Sequence, residues 1–99
     1  GLEREWLRNV YSLGYFLPDD AQKELTNFYI TPDFTYKETC AVIFIDGPHH
    51  EQPLQQRLDN KKRQALIDAG IRVIIFTKNK SSWPEIFKEY NWVFGDGRS

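Results

Sequence analysis

Asp33, Asp46 and His50 are the residues whose types and spacing could do chemistry together. Asp33 interrupts an aromatic-rich segment, and Asp46 directly follows the apolar run Ala41 to Ile45. If these segments are hairpin neighbours joined near Lys37 to Thr39, both carboxylates fall on one side of a sheet edge. Two carboxylates brought together repel one another, which raises a pKa unless a cation sits between them. Mg²⁺ suits such a pair because it takes a few carboxylates plus waters and phosphate oxygens. His50 follows Asp46 within the same loop, and an imidazole titrates near neutrality, so it could activate a water or protonate a leaving group. Taken singly, each Asp has an equally good turn role, since Asp favours bends and Asp-Gly opens turns. A zinc site is disfavoured, because two His and one Cys supply no second ligand pair at zinc spacing.

Two further groups of charges adjoin this trio. Asp59 and Arg63 stand one helical turn apart, a favourable ion-pair spacing. With Arg57, Lys61 and Lys62 they make one helix locally basic, either a solvated face or a face that tracks phosphates. Glu3 lies early in the first helix, where an acid suits the helix dipole. It gains interest if that helix packs beside Asp33.

The elements that must position these residues are legible in the apolar pattern. Leu2, Trp6, Val10 and Leu13 recur at helical spacing, with Gly14 as the stop. A turn with Pro18 follows, then Ala21 to Leu25, which could be an edge strand. Phe28 to Tyr36 reads as extended, with Pro32 placing its centre at an edge or bend. Ala41 to Ile45 is a continuous apolar run, expected for a strand covered on both faces. Leu54 to Ala69 is helical, with Leu58, Ala65, Leu66 and Ala69 on one side and Gly70 as the C-terminal cap. Ile71 to Thr77 reads as a second buried strand. Ser82 to Glu85 reads as a capping box that starts a last helix, with Ile86, Phe87 and Tyr90 available for packing. A buried strand, a long helix and a second buried strand imply a right-handed crossover and a parallel pair. The expected fold is α/β with a mixed central sheet.

With 99 residues the chain suffices for one domain and not two. No run approaches the roughly 20 apolar residues of a membrane span. The lone Cys40 excludes an internal disulfide and fits a reducing compartment such as the cytoplasm; at the start of an apolar run it reads as a buried, inert thiol. A chain that opens on Gly1 and contains no Met reads as an excised fragment of a larger protein. Its net charge of −1 argues against tight autonomous DNA binding, which draws on phosphate neutralisation. A catalytic module delivered by a neighbouring domain is compatible with that charge.

The strings PDFTY, AVIFIDGPHH and RLDNKKRQALIDAGIRVIIF, together with the opening LEREWLRNVYSLG, resemble the Vsr-like (very-short-patch-repair-like) branch of the PD-(D/E)XK nuclease superfamily. The tail SWPEIFKEYNWVFG is similar to domains at the C-terminal end of bacterial DEAD-box-type helicases. The resemblance implies a restriction-endonuclease-like core of helix, three strands, helix and strand plus a C-terminal helix. It also implies Mg²⁺- or Mn²⁺-dependent endonuclease activity on DNA, in a single domain linked to a helicase or DNA-binding partner. Asp33 matches the metal-binding Asp, Asp46 the second catalytic position and second metal ligand, and His50 the His that follows. Glu3 matches the acid of the first helix, and Asp59 that of the later one. Arg57, Lys61 and Arg63 are the candidate DNA contacts. The sequence departs from the pattern in two ways: no acid-x-Lys signature accompanies Asp46, and Phe44 stands where many relatives carry Glu. The competing expectation is a catalytically silent nuclease-fold module that binds DNA or a partner protein. A third is an interaction domain that uses exposed aromatics such as Trp92.

Overall fold

In a computed structural model of the chain, the structure is described for residues 1–45 and 53–97, with residues 53–59 described as helix backbone only. The elements are α1 (Leu2–Ser12), β1 (Asp20–Ala21), β2 (Phe34–Tyr36), β3 (Ala41–Ile45), α2 (Pro53–Asp68) and β4 (Arg72–Phe76). A 3₁₀ turn (Lys80–Ser82), α3 (Trp83–Glu89) and α4 (Asn91–Phe94) follow. The fold is α/β around one open, mixed sheet.

The sheet runs β1-β2-β3-β4 in space, antiparallel except for the parallel β3/β4 pair. β2 and β3 form the expected hairpin, closed by a turn in which the Cys40 amide bonds the Lys37 carbonyl. Every residue of β3 is buried, because this strand has helices on both faces. Ala41, Ile43 and Ile45 join Trp6 and Val10 of α1 and Phe87, Val93 and Phe94 from the C-terminal helices. Val42 and Phe44, on the opposite face, pack with Leu66 of α2. The larger cluster is predominantly aromatic, with Trp6 stacked on Phe34 and edge-on to Phe76 and Phe94.

Both long helices end in the same way. After α1 the Tyr15 amide bonds the Val10 carbonyl and Gly14 the Tyr11 carbonyl; after α2, Ile71 bonds Leu66 and Gly70 bonds Ile67. These paired bonds recover carbonyls that the last turn leaves open, and they require a left-handed residue. Gly14 and Gly70 supply it, at φ 78° and 86°. An added methyl at Gly70 would meet nothing within 4 Å, so its cost there is backbone strain alone. Gly70→Ala is expected to remove about 1–2 kcal/mol of stability, read as a lower urea midpoint at unchanged slope.

Five expectations change. The segment before β2 is not one extended run: Leu25 and Ile30 bridge across a tight turn, and the strand begins only at Phe34. β4 is only partly buried: Ile74 and Phe76 enter the core, whereas Arg72 and Ile75 are exposed at this edge strand. On α2, Leu66 is buried whereas Ala65 and Ala69 are exposed, so contact with the sheet is narrower than the apolar spacing implies. The capping box is not made: Ser82 is itself helical and donates its hydroxyl to the Asn79 carbonyl. Asn79 instead caps the preceding 3₁₀ turn by accepting from the Ser81 amide. Cys40 is exposed rather than buried, because it takes the left-handed conformation (φ 54°) that closes the hairpin turn before β3 begins.

The Tyr36 hydroxyl on β2 donates to the Phe16 carbonyl at 2.7 Å. Burial, with a smaller contribution from Asp19, holds its pKa well above the ordinary 10.0. The fold thus favours the neutral phenol, so this stabilisation is complete below pH 10 and is lost as pH rises beyond it. Tyr36→Phe is expected to cost about 1 kcal/mol at neutral pH by depriving Phe16 of its donor. The variant should also lose less stability than the parent above pH 10, as measured by urea titration across that range.

Candidate active site

Asp33 sits immediately before β2, and its placement is over-determined. Its amide donates to the Ile43 carbonyl at 2.9 Å, which extends the hairpin ladder by one bond. Its carbonyl accepts from the Gln22 amide at 3.0 Å. The side chain is fixed as well, with Oδ1 accepting from Gln22 Nε2 at 2.9 Å and Oδ2 from the Ile45 amide at 2.7 Å. The half-buried carboxylate therefore lies against the last residue of β3, at the carboxyl ends of the parallel β3/β4 pair. Binding sites of open α/β sheets favour that end of parallel strands.

Gln22 is a residue that sequence reasoning missed. It holds Asp33 by main chain and side chain at once, from a left-handed backbone conformation (φ 54°) just after β1. No local pattern signals a partner eleven residues away.

Beside Asp33 a shallow groove of about 510 Å³ opens between α1 and the start of β2. Glu3, Arg4 and Leu7 line it from α1, and Ala21, Gln22, Asp33 and Phe34 from the sheet side. Glu3, on α1, and Asp33 thus line the same groove. Arg4 was not anticipated, and it lines the same groove as Glu3 and Asp33. Glu5, the neighbouring acid, takes a different role. It pairs with Lys80, whose hydrogen bond and charge hold the Glu5 carboxyl below its ordinary range.

Asp46 and His50 lie outside the described residues, as do the side chains of Arg57 and Asp59. Ile45, whose amide Asp33 accepts, directly precedes Asp46 in the chain. Lys61 is exposed on α2. Arg63 is half-buried, with its guanidinium 4.9 Å from the centre of the Phe44 ring, a cation–π contact across the second core cluster. Phe44 itself is only 8% exposed, so this position serves packing.

Comparison with family models, curated proteins and solved structures finds no match to this chain. Among the described residues no group of three His, Cys, Asp or Glu side chains could hold a metal ion. No helix among them is long and apolar enough to cross a membrane. As a single candidate ligand Asp33 has the right chemistry. Its oxygens are hard donors of the kind that a divalent cation takes.

Proposed function

We propose that this chain is a metal-dependent endonuclease module that hydrolyses DNA phosphodiester bonds, on a restriction-endonuclease-like core of the Vsr-like PD-(D/E)XK type. The observation that supports this reading is the fixed carboxylate of Asp33 at the carboxyl end of the central strand, bonded to the residue that precedes Asp46. Catalytic sites need that kind of preorganisation, because an oxygen already held in place costs nothing to reorganise when charge develops.

In this reading Asp33 and Asp46 would hold Mg²⁺ or Mn²⁺. Such an ion, when bound, supplies electrostatic polarisation of a phosphate and acidification of a water. His50 would accept the proton of the attacking water or return one to the leaving oxygen. Glu3 would orient water from the α1 side of the groove, and Asp59 would add an acid from α2. Arg57 and Lys61 would contact phosphates. Arg63 would join them only by giving up its place on Phe44. A linked helicase or DNA-binding domain would deliver the substrate, which offsets the weak electrostatic attraction of a chain with net charge −1. Processing of DNA in repair or defence, in the cytoplasm, is the role that fits.

Phe44 favours the second reading, a catalytically silent module that binds DNA or a partner protein. Incubation of supercoiled plasmid with the purified chain separates the two. Nicking that requires Mg²⁺ or Mn²⁺ and stops with EDTA is expected. Intact plasmid under both metals, from protein that is folded by circular dichroism, would leave the silent module standing.

A further inference from the structure

The opposite end of β3 carries a second cavity, of about 450 Å³, between the β2/β3 hairpin turn and the C-terminal helices. Phe16, Tyr36 and Trp92 give it aromatic walls, and Asp19, Glu38 and Thr39 give it oxygen atoms. Its lining includes two carboxylates and no Lys or Arg. Phe16 and Trp92 are 62% and 50% exposed, so large rings stand open to solvent at its rim.

Its polar groups are underused. Asp19 gives one oxygen, Oδ2, to the Lys37 amide at 2.7 Å. The nearby ammonium of Lys37 is drawn off to Asp20, 3.5 Å away. Among the described residues Glu38 makes no ion pair, and the Thr39 hydroxyl is buried with no hydrogen-bond partner. Arg72 already holds its guanidinium 5.7 Å from the centre of the Trp92 ring, so this ring accepts cations and has one face taken.

Underused carboxylates and electron-rich rings are complementary to a group with several N–H donors and a positive charge. We propose that this cavity receives a lysine or arginine side chain presented by a peptide segment of a partner protein. The head of the side chain meets Glu38 and the rim formed by Trp92. Its aliphatic stem and the adjoining peptide cover the exposed Phe16. The cavity is wider than a single ammonium needs, which favours a peptide over a free amine. The inference is independent of the endonuclease reading, since it uses the other end of the sheet and is read by binding.

The test is a nuclear magnetic resonance titration of the isotope-labelled chain with the peptide acetyl-Gly-Gly-Lys-Gly-Gly-amide and its Arg counterpart. The same peptide with Gln at the centre is the control. The basic peptides are expected to shift the Glu38 and Thr39 amides and the Trp92 indole N–H. The Gln peptide should bind about tenfold more weakly or worse, and Glu38→Gln should weaken the basic peptides by a similar factor. Trp92→Ala is the second variant, with the remaining spectrum reporting that each protein is folded. Equal shifts from the Gln peptide, shifts at Glu3 and Arg4 instead, or none at millimolar peptide would overturn the proposal. So would methylammonium or a single-stranded oligonucleotide that reproduces the same shifts at the same concentration.

Discussion

Replacing Asp33 by Asn is expected to abolish metal-dependent plasmid nicking while leaving the chain folded, and replacing it by Ala to damage both. The contrast arises because Asp33 has a structural duty as well as a proposed catalytic one. Its Oδ2 satisfies the Ile45 amide, and its Oδ1 the Gln22 side chain. An asparagine side chain is nearly the same shape and retains one carbonyl oxygen, so one of these bonds survives. Loss of the charge weakens what remains, at a cost of about 1–2 kcal/mol. Alanine removes both acceptors and leaves the Ile45 amide unsatisfied next to the core, which costs about 1–3 kcal/mol for that group alone. Nicking should respond differently. A neutral amide does not replace a carboxylate toward a hard divalent cation, so Asp33→Asn should lower the rate by a factor on the order of 10²–10⁴, equivalent to about 2.7–5.4 kcal/mol of transition-state stabilisation.

Urea denaturation and plasmid nicking, run on the same preparations, separate the two duties. Asp33→Asn that is stable and inactive places the carboxylate in the chemistry. Asp33→Asn that nicks as fast as the parent sinks the proposed site and leaves Asp33 as a bracket between β2 and β3. Gln22→Ala is the companion variant. It removes one hydrogen bond from Asp33 without touching the carboxylate, so a rate reduced at unchanged urea midpoint would mark Gln22 as a positioning residue.

How far the sequence discloses this arrangement depends on the range of the interaction involved. β3 was readable because burial on both faces imposes an unbroken apolar run, and Gly14 and Gly70 mark helix ends because few other residues take their backbone angles. Adjacent runs misled where apolar spacing overstates burial. Ile71 to Thr77 looks like β3, yet its strand lies at the sheet edge with Arg72 and Ile75 facing solvent. Ala65 and Ala69 keep helical period with Leu66 but remain exposed. Cys40 looked buried because it adjoins an apolar run, whereas the hairpin turn needs its backbone in the left-handed region. Within the candidate site, the place of Asp33 on the sheet could be inferred from the hairpin. Its bonds to Gln22 and Ile45 could not, since they depend on side-chain reach between elements. The same holds for Glu5, which resembles Glu3 in sequence but is taken up by Lys80.

The largest expected loss of stability comes from Trp6. Its indole is fully buried between α1 and the sheet, in ring contact with Phe34, Phe76, Phe87 and Phe94. Trp6→Ala should cost about 3–5 kcal/mol, because a cavity of that size inside a rigid aromatic cluster collapses only in part. For a domain of this size such a loss is a large share of the whole stability, and the variant should melt tens of degrees lower. Trp6→Phe tests a finer point. The indole Nε1 is buried without a hydrogen-bond partner among the described residues, a burden of about 1–3 kcal/mol that Phe does not carry. Phe gives up part of the buried ring area but also sheds that burden, and the two effects oppose one another. Trp6→Phe is therefore expected to fall within about 1 kcal/mol of the parent by urea midpoint. A loss close to that of Trp6→Ala would mean that the indole N–H is satisfied after all, and that α1 is held to the sheet by a polar contact as well as by the stacked rings.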